Sequence, residues 1–470
     1  MLIILLAFLA VLVLLEQPQL LRPPPDAAWV LPAAIAAYLV VAAMAAGMNT
    51  LASLRVLDRR GEQAWSLVMR RHRAWATGVY AWLLAGLVAL IVTGLGHVVL
   101  SHRILGRLPL AAELAVLSPF VAALLLAWIA DYPFYRAVRV RIVHRLGEGA
   151  RVGVWSLGEY LDYNLRHQLL FVAVPVSMIV AATDAMRFYL YPVLPAWAAD
   201  QVVLTGSIAV GAAVFLISPL LIVRIWRTER LPPGELRENL QALCRRLRVR
   251  CRDILVWRSG HTVANAGMMG LIGPVRYVLL TDALLANLDL RGVQAIFAHE
   301  AGHIIHHHIP YTAIFAVAVM GICGAAGDML AAGADLSPWW AQGLTLGLLV
   351  PSWAWGFGWI SRLFERQSDV AAAALVGSDH AEQWKDQPIT QLGATTFAMA
   401  LQRVAQLNGT WPYHRNWRHG SIAQRVGYVL WLCGTGGSPA NVGRLVRRVK
   451  AALLAALAVA VILIVRDLIR

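Results

Sequence analysis

The sequence predicts a mainly α-helical fold: a polytopic membrane bundle of about 7–9 spans carrying a small α+β part outside the bilayer. Three observations predict it. The 470-residue chain is 59% apolar and only 14% charged, where ordinary soluble domains carry about 25% charged residues. Nine apolar stretches approach the roughly 20 residues that a helix needs to cross about 30 Å of hydrocarbon. Two long polar stretches, 225–310 and 361–450, interrupt them with mixed helix and strand patterns.

The stretches lie at 2–15, 29–48, 76–100, 109–130, 168–183, 202–224, 311–334, 338–360 and 451–466. The first is short, but it lacks a basic start and a small-residue cleavage site, so it reads as an anchor and not a removed signal. "RPPPD" at 22–26 reads as a turn or linker. This divides the chain into a transmembrane region 1–224, an α+β part 225–310, a transmembrane hairpin 311–360, a helical part 361–450 and a last span 451–470.

Basic residues orient the spans. Segment 49–75 holds Arg55, Arg59, Arg60, Arg70, Arg71 and Arg73, and segment 131–167 holds Arg136, Arg139, Arg141, Arg145, Arg151 and Arg166. The loops on the other side hold only Arg22, Arg103, Arg107 and Arg187. Positive residues stay on the cytoplasmic side, which places both polar parts in the cytoplasm. A multi-pass protein of a bacterial plasma membrane is the expectation. The formal charge of +15 is spread over these loops and not gathered in one basic domain, so the partner it implies is the lipid bilayer and not nucleic acid. Cys244, Cys251, Cys323 and Cys433 form no CxxC pair and read as isolated, reduced thiols.

Within 225–310, "PPGELRENLQALCRRLRV" reads as a helix with Pro at its start, and "DILVW" and "VRYVLLT" as strands. "LRGVQAIFAHEAGHIIHHH" reads as a helix N-capped by Asp289. Residues 361–450 read as mainly helical, with a Gly-rich loop, "CGTGGSP".

The stretch "AHEAGHIIHHHIP", 298–310, holds five histidines and one glutamate. His299, Glu300 and His303 form H-E-x-x-H. On a helix the two histidines lie one turn apart on one face, where neutral ring nitrogens can hold one zinc ion, and Glu300 lies beside the metal as a general base. A catalytic zinc needs a third protein ligand and one open position. A histidine ten residues after the first would supply it in one arrangement, but position 309 is Ile. His306, His307 and His308 are a second source. Three histidines along one straight helix close a tetrahedron poorly, so the run reads as a polar helix end, with His307 the least excluded. A third source is "ISRLFERQSDVAAAALVG", which puts Glu365 and Asp369 on one face at i, i+4 among alanines and valines. Carboxylates facing apolar packing require partners. A metal for Glu365 and a ligand imidazole N–H for Asp369 meet that need.

At this point the chain resembles the membrane zinc endopeptidases of the gluzincin type, which include the zinc-dependent CAAX prenyl proteases and the heat-shock protease HtpX. "AHEAGH" resembles their zinc helix. "SRLFERQSDVAA" resembles their S-R-x-x-E-x-x-x-D helix, and two apolar stretches separate the two motifs. "VANAGMMGLIGPVRYVLLTDALL" resembles an edge strand that holds extended substrate. "RHGSIAQR" resembles H-P-x-x-x-x-R, with Gly420 where the family has Pro. The resemblance covers about 225–435. It implies a small zinc metalloprotease domain of a short edge-strand sheet and the HExxH helix. It further implies one Zn²⁺ held by His299, His303 and Glu365, with Glu300 as base and Asp369 behind a ligand. Asn265 and Ala266 would pair with a peptide or protein substrate, and His419 or Arg425 would stabilise the oxyanion. The implied activity is cleavage of membrane-associated or misfolded proteins, or of C-terminal peptides. Two other classes compete. A signal transducer of the same chemistry needs an external sensor domain, and the external loops here are short. An inactive scaffold would be expected to lack Glu300 or a ligand, and none is missing. The sequence carries no pattern that sets an oligomeric state.

Overall fold

A computed structural model of the chain describes residues 2–23, 28–61, 65–334, 338–378 and 384–469. Of the turn read at 22–26, residues 24–26 lie outside the described residues. The chain forms two compact units. One comprises 1–148, 152–228 and 258–262, and the other comprises 149–151, 229–257 and 263–470.

The first unit is helical throughout: α1 (Leu2–Leu15), α2 (Val30–Arg60), α3 (Trp65–Leu90), α4 (Gly96–Ser101), α5 (Ala111–Leu146), α6 (Leu157–Asn164), α7 (Phe171–Ala185) and α8 (Ala196–Ile225). Helices are the form these sequences must take in lipid, where every backbone N–H and C=O has to be satisfied within the segment. A π-helical turn at Ile91–Leu95 joins α3 to α4, and another at Leu165–Leu170 joins α6 to α7. The start of α6 is fixed by a capping box between Ser156 and Glu159. A chain of buried and half-buried polar groups ties four helices together. Ser53 Oγ lies 3.0 Å from His72 Nδ1, His72 Nε2 lies 2.8 Å from Asp131 Oδ1, and Tyr160 donates to Asp131 Oδ2 at 3.3 Å.

The second unit opens with β1 (Thr228–Arg230), α9 (Glu235–Arg246), β2 (Asp253–Trp257), β3 (Ala266–Met269) and β4 (Tyr277–Thr281). Acidic Glu235 and Glu238 start α9 and basic Arg245 and Arg246 end it, as the helix dipole favours. The sheet order is β1-β2-β4-β3. β2 runs parallel to β4 from Asp253↔Tyr277 to Trp257↔Thr281, and β3 runs antiparallel to it from Ala266↔Leu280 to Met269↔Tyr277. β4 is buried along its whole length, which is why its sequence is a continuous apolar run. β3 is an edge strand.

The helices α10 (Asp282–Asn287), α11 (Leu290–Ile305), α12 (His308–Gly333), α13 (Pro338–Val376), α14 (Gln391–Leu407), α15 (Ile422–Gly434) and α16 (Pro439–Ile469) complete the unit. Asp289 caps α11 by accepting from Gly292 N at 2.9 Å. Its core joins Leu240, Val278, Leu280, Phe297 and Phe397 to the tract Val370–Leu375 of α13. That tract is buried on every side, so it shows no amphipathic period.

Two expectations need correction. The helix read as running to His308 stops at Ile305. His307 takes a left-handed conformation, φ 54°, and α12 restarts at His308 with Pro310 in its first turn, where Pro costs no hydrogen bond. The cysteines are not all isolated either, because Cys244 and Cys251 bring their sulfurs to 3.8 Å.

Among the described residues, seven helical runs are long and apolar enough to cross a membrane: Val30–Arg60, Trp65–Ser101, Ala111–Leu146, Leu157–Val193, Ala196–Ile225, His308–Gly333 and Pro439–Arg466. Each overlaps one of the expected spans. The other two expected spans stand apart. The helix Leu2–Leu15 reaches only about 21 Å at 1.5 Å per residue. The stretch 338–360 lies inside α13, where several tryptophans lower its hydropathy. The fold is therefore the expected one, a polytopic helical bundle with a small sheet.

Candidate active site

Two helices build the site. α11 carries His299, Glu300 and His303, and α13 carries Glu365 and Asp369. They can approach closely because Gly302 faces Ser368. A Cβ on Gly302 would sit 3.1 Å from the Ser368 backbone and side chain, tighter than ordinary van der Waals contact. The buried Ala298 and Ala301 keep the rest of that face of α11 small.

Among the described residues, the three groups placed to hold one metal ion together are His299, His303 and Glu365. His299 Nε2 lies 3.4 Å from His303 Nε2 and 3.6 Å from Glu365 Oε2, and His303 Nε2 lies 3.7 Å from Glu365 Oε1. Ligands set tetrahedrally at about 2.0–2.1 Å from a zinc-sized ion are about 3.4 Å apart, so the triangle fits such an ion.

Their neighbours fix which nitrogen each histidine presents. His299 Nδ1 lies 2.9 Å from Asp369 Oδ1, close enough for strong attraction although off ideal hydrogen-bond alignment. A carboxylate there holds the ring proton on Nδ1 and leaves the Nε2 lone pair for the metal position. His303 is set by a two-step relay. The amide oxygen of Gln367 lies 2.9 Å from His308 Nε2, and His308 Nδ1 lies 3.0 Å from His303 Nδ1. An amide oxygen only accepts, so His308 donates from Nε2, accepts at Nδ1, and places the His303 proton on Nδ1. Nε2 of His303 is again the free donor atom. His308 is buried and stacked on Phe364 at 4.1 Å, so it is no polar helix end. Sequence reasoning missed this role of His308 and Gln367. Their signal was present in the triple histidine and in "ERQSD", but pairing them needs the chain reversal at His307.

Arg425, from α15, reaches into the same cluster. Its Nε and NH2 donate to Asp369 Oδ2 and Oδ1 at 2.9 and 2.6 Å, and its NH1 lies 3.1 Å from Glu365 Oε2. His419 lies at the rim, half-exposed, with Nδ1 2.7 Å from Glu365 Oε1. The turn behind it closes by paired Asn416 and Gly420 backbone bonds of 2.9 Å. Gly420 has φ 73°, a conformation and an N–H donor that proline cannot supply.

The electrostatics follow from burial against charge. Burial pushes the Glu300 carboxyl above the usual carboxylate range, against the pull of His299 and the Met268 backbone N–H. Burial would raise Glu365 as well, but the His419 hydrogen bond and the Arg425 charge hold it below that range. At Asp369 the same burial is outweighed by Arg425 and His299. Burial and the nearby His299 push His303 down to about 4, which keeps its imidazole neutral.

The edge strand lies beside Glu300. Asn265 turns both backbone groups inward: its N–H donates to Thr281 Oγ1 at 2.9 Å, and its carbonyl accepts from Thr281 N at 3.0 Å. By the alternation of an antiparallel ladder, the outward-facing groups of β3 belong to Ala266 and Met268. The Met268 backbone N–H is near enough to Glu300 to pull its proton affinity down a little.

Comparison with known proteins finds these similarities. Residues 231–408 match peptidase family M48. The sequence is 28% identical over 201 residues to a protease HtpX homolog of Aeropyrum pernix, covering 38% of this chain and 59% of that one. The crystal structure of S. mikatae Ste24p covers 87% of this chain and 100% of its own at a TM-score of 0.49 and 15% identity. Residues 231–408 thus match peptidase family M48, and the resemblance read from the motifs at 225–435 finds its support in that segment.

Proposed function

We propose that the protein is an integral-membrane, zinc-dependent endopeptidase, with 225–310 and 361–450 as the two parts of its peptidase domain. The observation that carries this reading is the triangle of His299 Nε2, His303 Nε2 and a Glu365 carboxylate, with neighbours that hold both imidazoles in the ligating tautomer. It supplies three protein ligands, as catalytic zinc sites do, and not the four of a structural site.

When bound, zinc would polarise the scissile carbonyl and acidify a water molecule. The protein's own groups do the rest. Ala266 and Met268 offer outward backbone groups to an extended peptide, which adds as a strand. Glu300, whose half-buried carboxyl has raised proton affinity, takes the proton of the attacking water and delivers it to the leaving nitrogen. Arg425 is committed to Asp369 and Glu365, so it acts as a positioning residue. Of the two expected oxyanion partners, this leaves His419, which sits half-exposed at the rim. Substrates in keeping with an edge strand are extended segments: unfolded parts of membrane-associated proteins, or C-terminal peptides. The arginine balance of the short loops supports a cytoplasmic active site in a plasma membrane.

The test is cleavage of casein by the purified, detergent-solubilised protein beside Glu300→Gln, with bound metal quantified in both. Zinc in both proteins and cleavage only by wild type is the expected result. Zinc without cleavage by either would remove the general endopeptidase reading, and absence of zinc in both would remove the metal site itself.

A further inference from the structure

We infer that Cys244 and Cys251 form a redox-active dithiol, a modification site for an anionic low-molecular-weight disulfide. Their Sγ atoms are 3.8 Å apart. The backbone places them there. α9 ends in a motif in which Val249 N donates to Cys244 O at 2.9 Å and Arg248 N to Arg245 O at 3.0 Å. Those are the two bonds of a Schellman C-cap. The position that usually holds glycine is Arg248, with φ 53°. The reversal folds Cys251 back onto the last turn of α9. Cys244 is buried and Cys251 partly exposed.

The exposed side opens onto a cavity of about 780 Å³ whose wall includes Arg245, Arg248, Arg250 and Arg252. Arg245, Arg248 and Arg250 have no carboxylate partner among the described residues. Asp253, the one acid in the wall, is already held by Arg230 and Arg237 at 3.0 and 2.7 Å. A thiol pair at the edge of an unneutralised cationic cavity suits a disulfide that carries carboxylates. The hydrogen bond from Cys244 pushes the Cys251 thiol down to about 7, and donating that bond pushes Cys244 up. Cys251 is thus the attacking thiolate and Cys244 the resolving thiol.

The chemistry balances. The Cys251 thiolate attacks one sulfur of the disulfide, an S–S bond forms as the original one breaks, and one small thiolate leaves and takes up a proton. Cys244 then loses its proton to solvent and attacks Cys251 Sγ. This forms the Cys244–Cys251 bond and expels the second small thiolate. Two electrons pass from the protein dithiol to the small disulfide, which leaves as two thiols. The dithiol lies outside the metal site, and its chemistry does not depend on the peptidase reading.

The test uses the full-length protein in detergent, reduced, desalted and exposed to glutathione disulfide, with intact mass and maleimide-reactive thiols followed over time. Wild type is expected to lose two thiols without retaining glutathione. Cys244→Ser is expected to keep one glutathione on Cys251, and Cys251→Ser to keep all three of its remaining thiols over the same time. Arg248→Glu or Arg250→Glu is expected to slow the reaction with glutathione disulfide about tenfold, as lost steering of an anion predicts. Neither change should alter the rate with uncharged hydroxyethyl disulfide. Retention of both thiols by wild type would overturn the dithiol, as would glutathione accumulating on Cys323 or Cys433 in its place. Equal slowing with both disulfides would overturn the role of the arginines.

Discussion

In the proposed mechanism Glu300 and His308 serve different parts of the same chemistry, and single substitutions separate them. Glu300 ligates nothing in the triangle of donors, so Glu300→Gln is expected to keep its metal while kcat falls by about 10²–10⁴-fold, the range of general acid–base catalysis. His308 touches no substrate. It fixes the proton of His303 on Nδ1, so His308→Ala is expected to weaken zinc binding by about 10–100-fold, as loss of a partner behind a metal ligand does. Competition with a chelator of known affinity measures this without reference to turnover. Unchanged affinity would remove the relay. Asp369 carries a pH dependence. Its folded value is depressed, so its contribution is fully present above the unfolded carboxylate value of about 3.9 and fades as pH falls through the folded value. In Asp369→Asn, Arg425 loses its bidentate carboxylate and keeps only Glu365, at a cost of about 1–3 kcal/mol. Denaturant melts of metal-free protein should show this gap between wild type and variant at neutral pH, and should show it closing below about pH 4.

At the scale of the element, the site depends on how closely α11 and α13 approach. Gly302→Val would drive a branched side chain into Ser368, and overpacking of this kind costs about 1–3 kcal/mol. Since the contact lies between the histidine pair and Glu365, the displacement should also open the donor triangle. The expected result is a folded protein with markedly weakened zinc affinity, read by melting and chelator competition together; full affinity would show that the helices adjust elsewhere. The same elements show what a single sequence makes legible. The strands at 253–257 and 277–281 and the helix capped by Asp289 were readable because apolar period and cap chemistry act locally. Glu365 and Asp369 were readable because their spacing put two carboxylates on one face among alanines. The break at His307 was not, since histidine has no preference that announces a left-handed residue and the reversal is set by packing of His308 against Phe364 and Gln367. The approach of Cys244 to Cys251 was hidden for a similar reason: its C-cap places arginine where glycine would have signalled the turn. The inward turn of Asn265 depends on Thr281, a partner 16 residues on, and no local pattern reports it.

At the scale of the whole molecule, the question is whether the metal holds the fold together or only serves the chemistry. Small zinc domains unfold without their ion because nothing else satisfies the ligands. Here the ligands have other partners. Glu365 is held by His419 and Arg425, His299 faces Asp369, and His303 is held by His308. Around them the second unit has a continuous apolar core extending from the sheet through α13 to α16. Removal of the ion therefore leaves buried charges paired and the core intact. Treatment with 1,10-phenanthroline is expected to abolish peptidase activity while the protein stays folded and monodisperse in detergent. Adding back stoichiometric zinc should restore activity without a refolding step. Zinc binding should raise the melting temperature only by mass action, through about 2.7 kcal/mol of added stability at one hundred times Kd. Collapse into an unfolded or aggregated state on chelation, with activity that zinc cannot recover, would show that the ion is a structural member of the fold and that the pairing of Glu365, Asp369 and Arg425 is too weak to hold α11, α13 and α15 together.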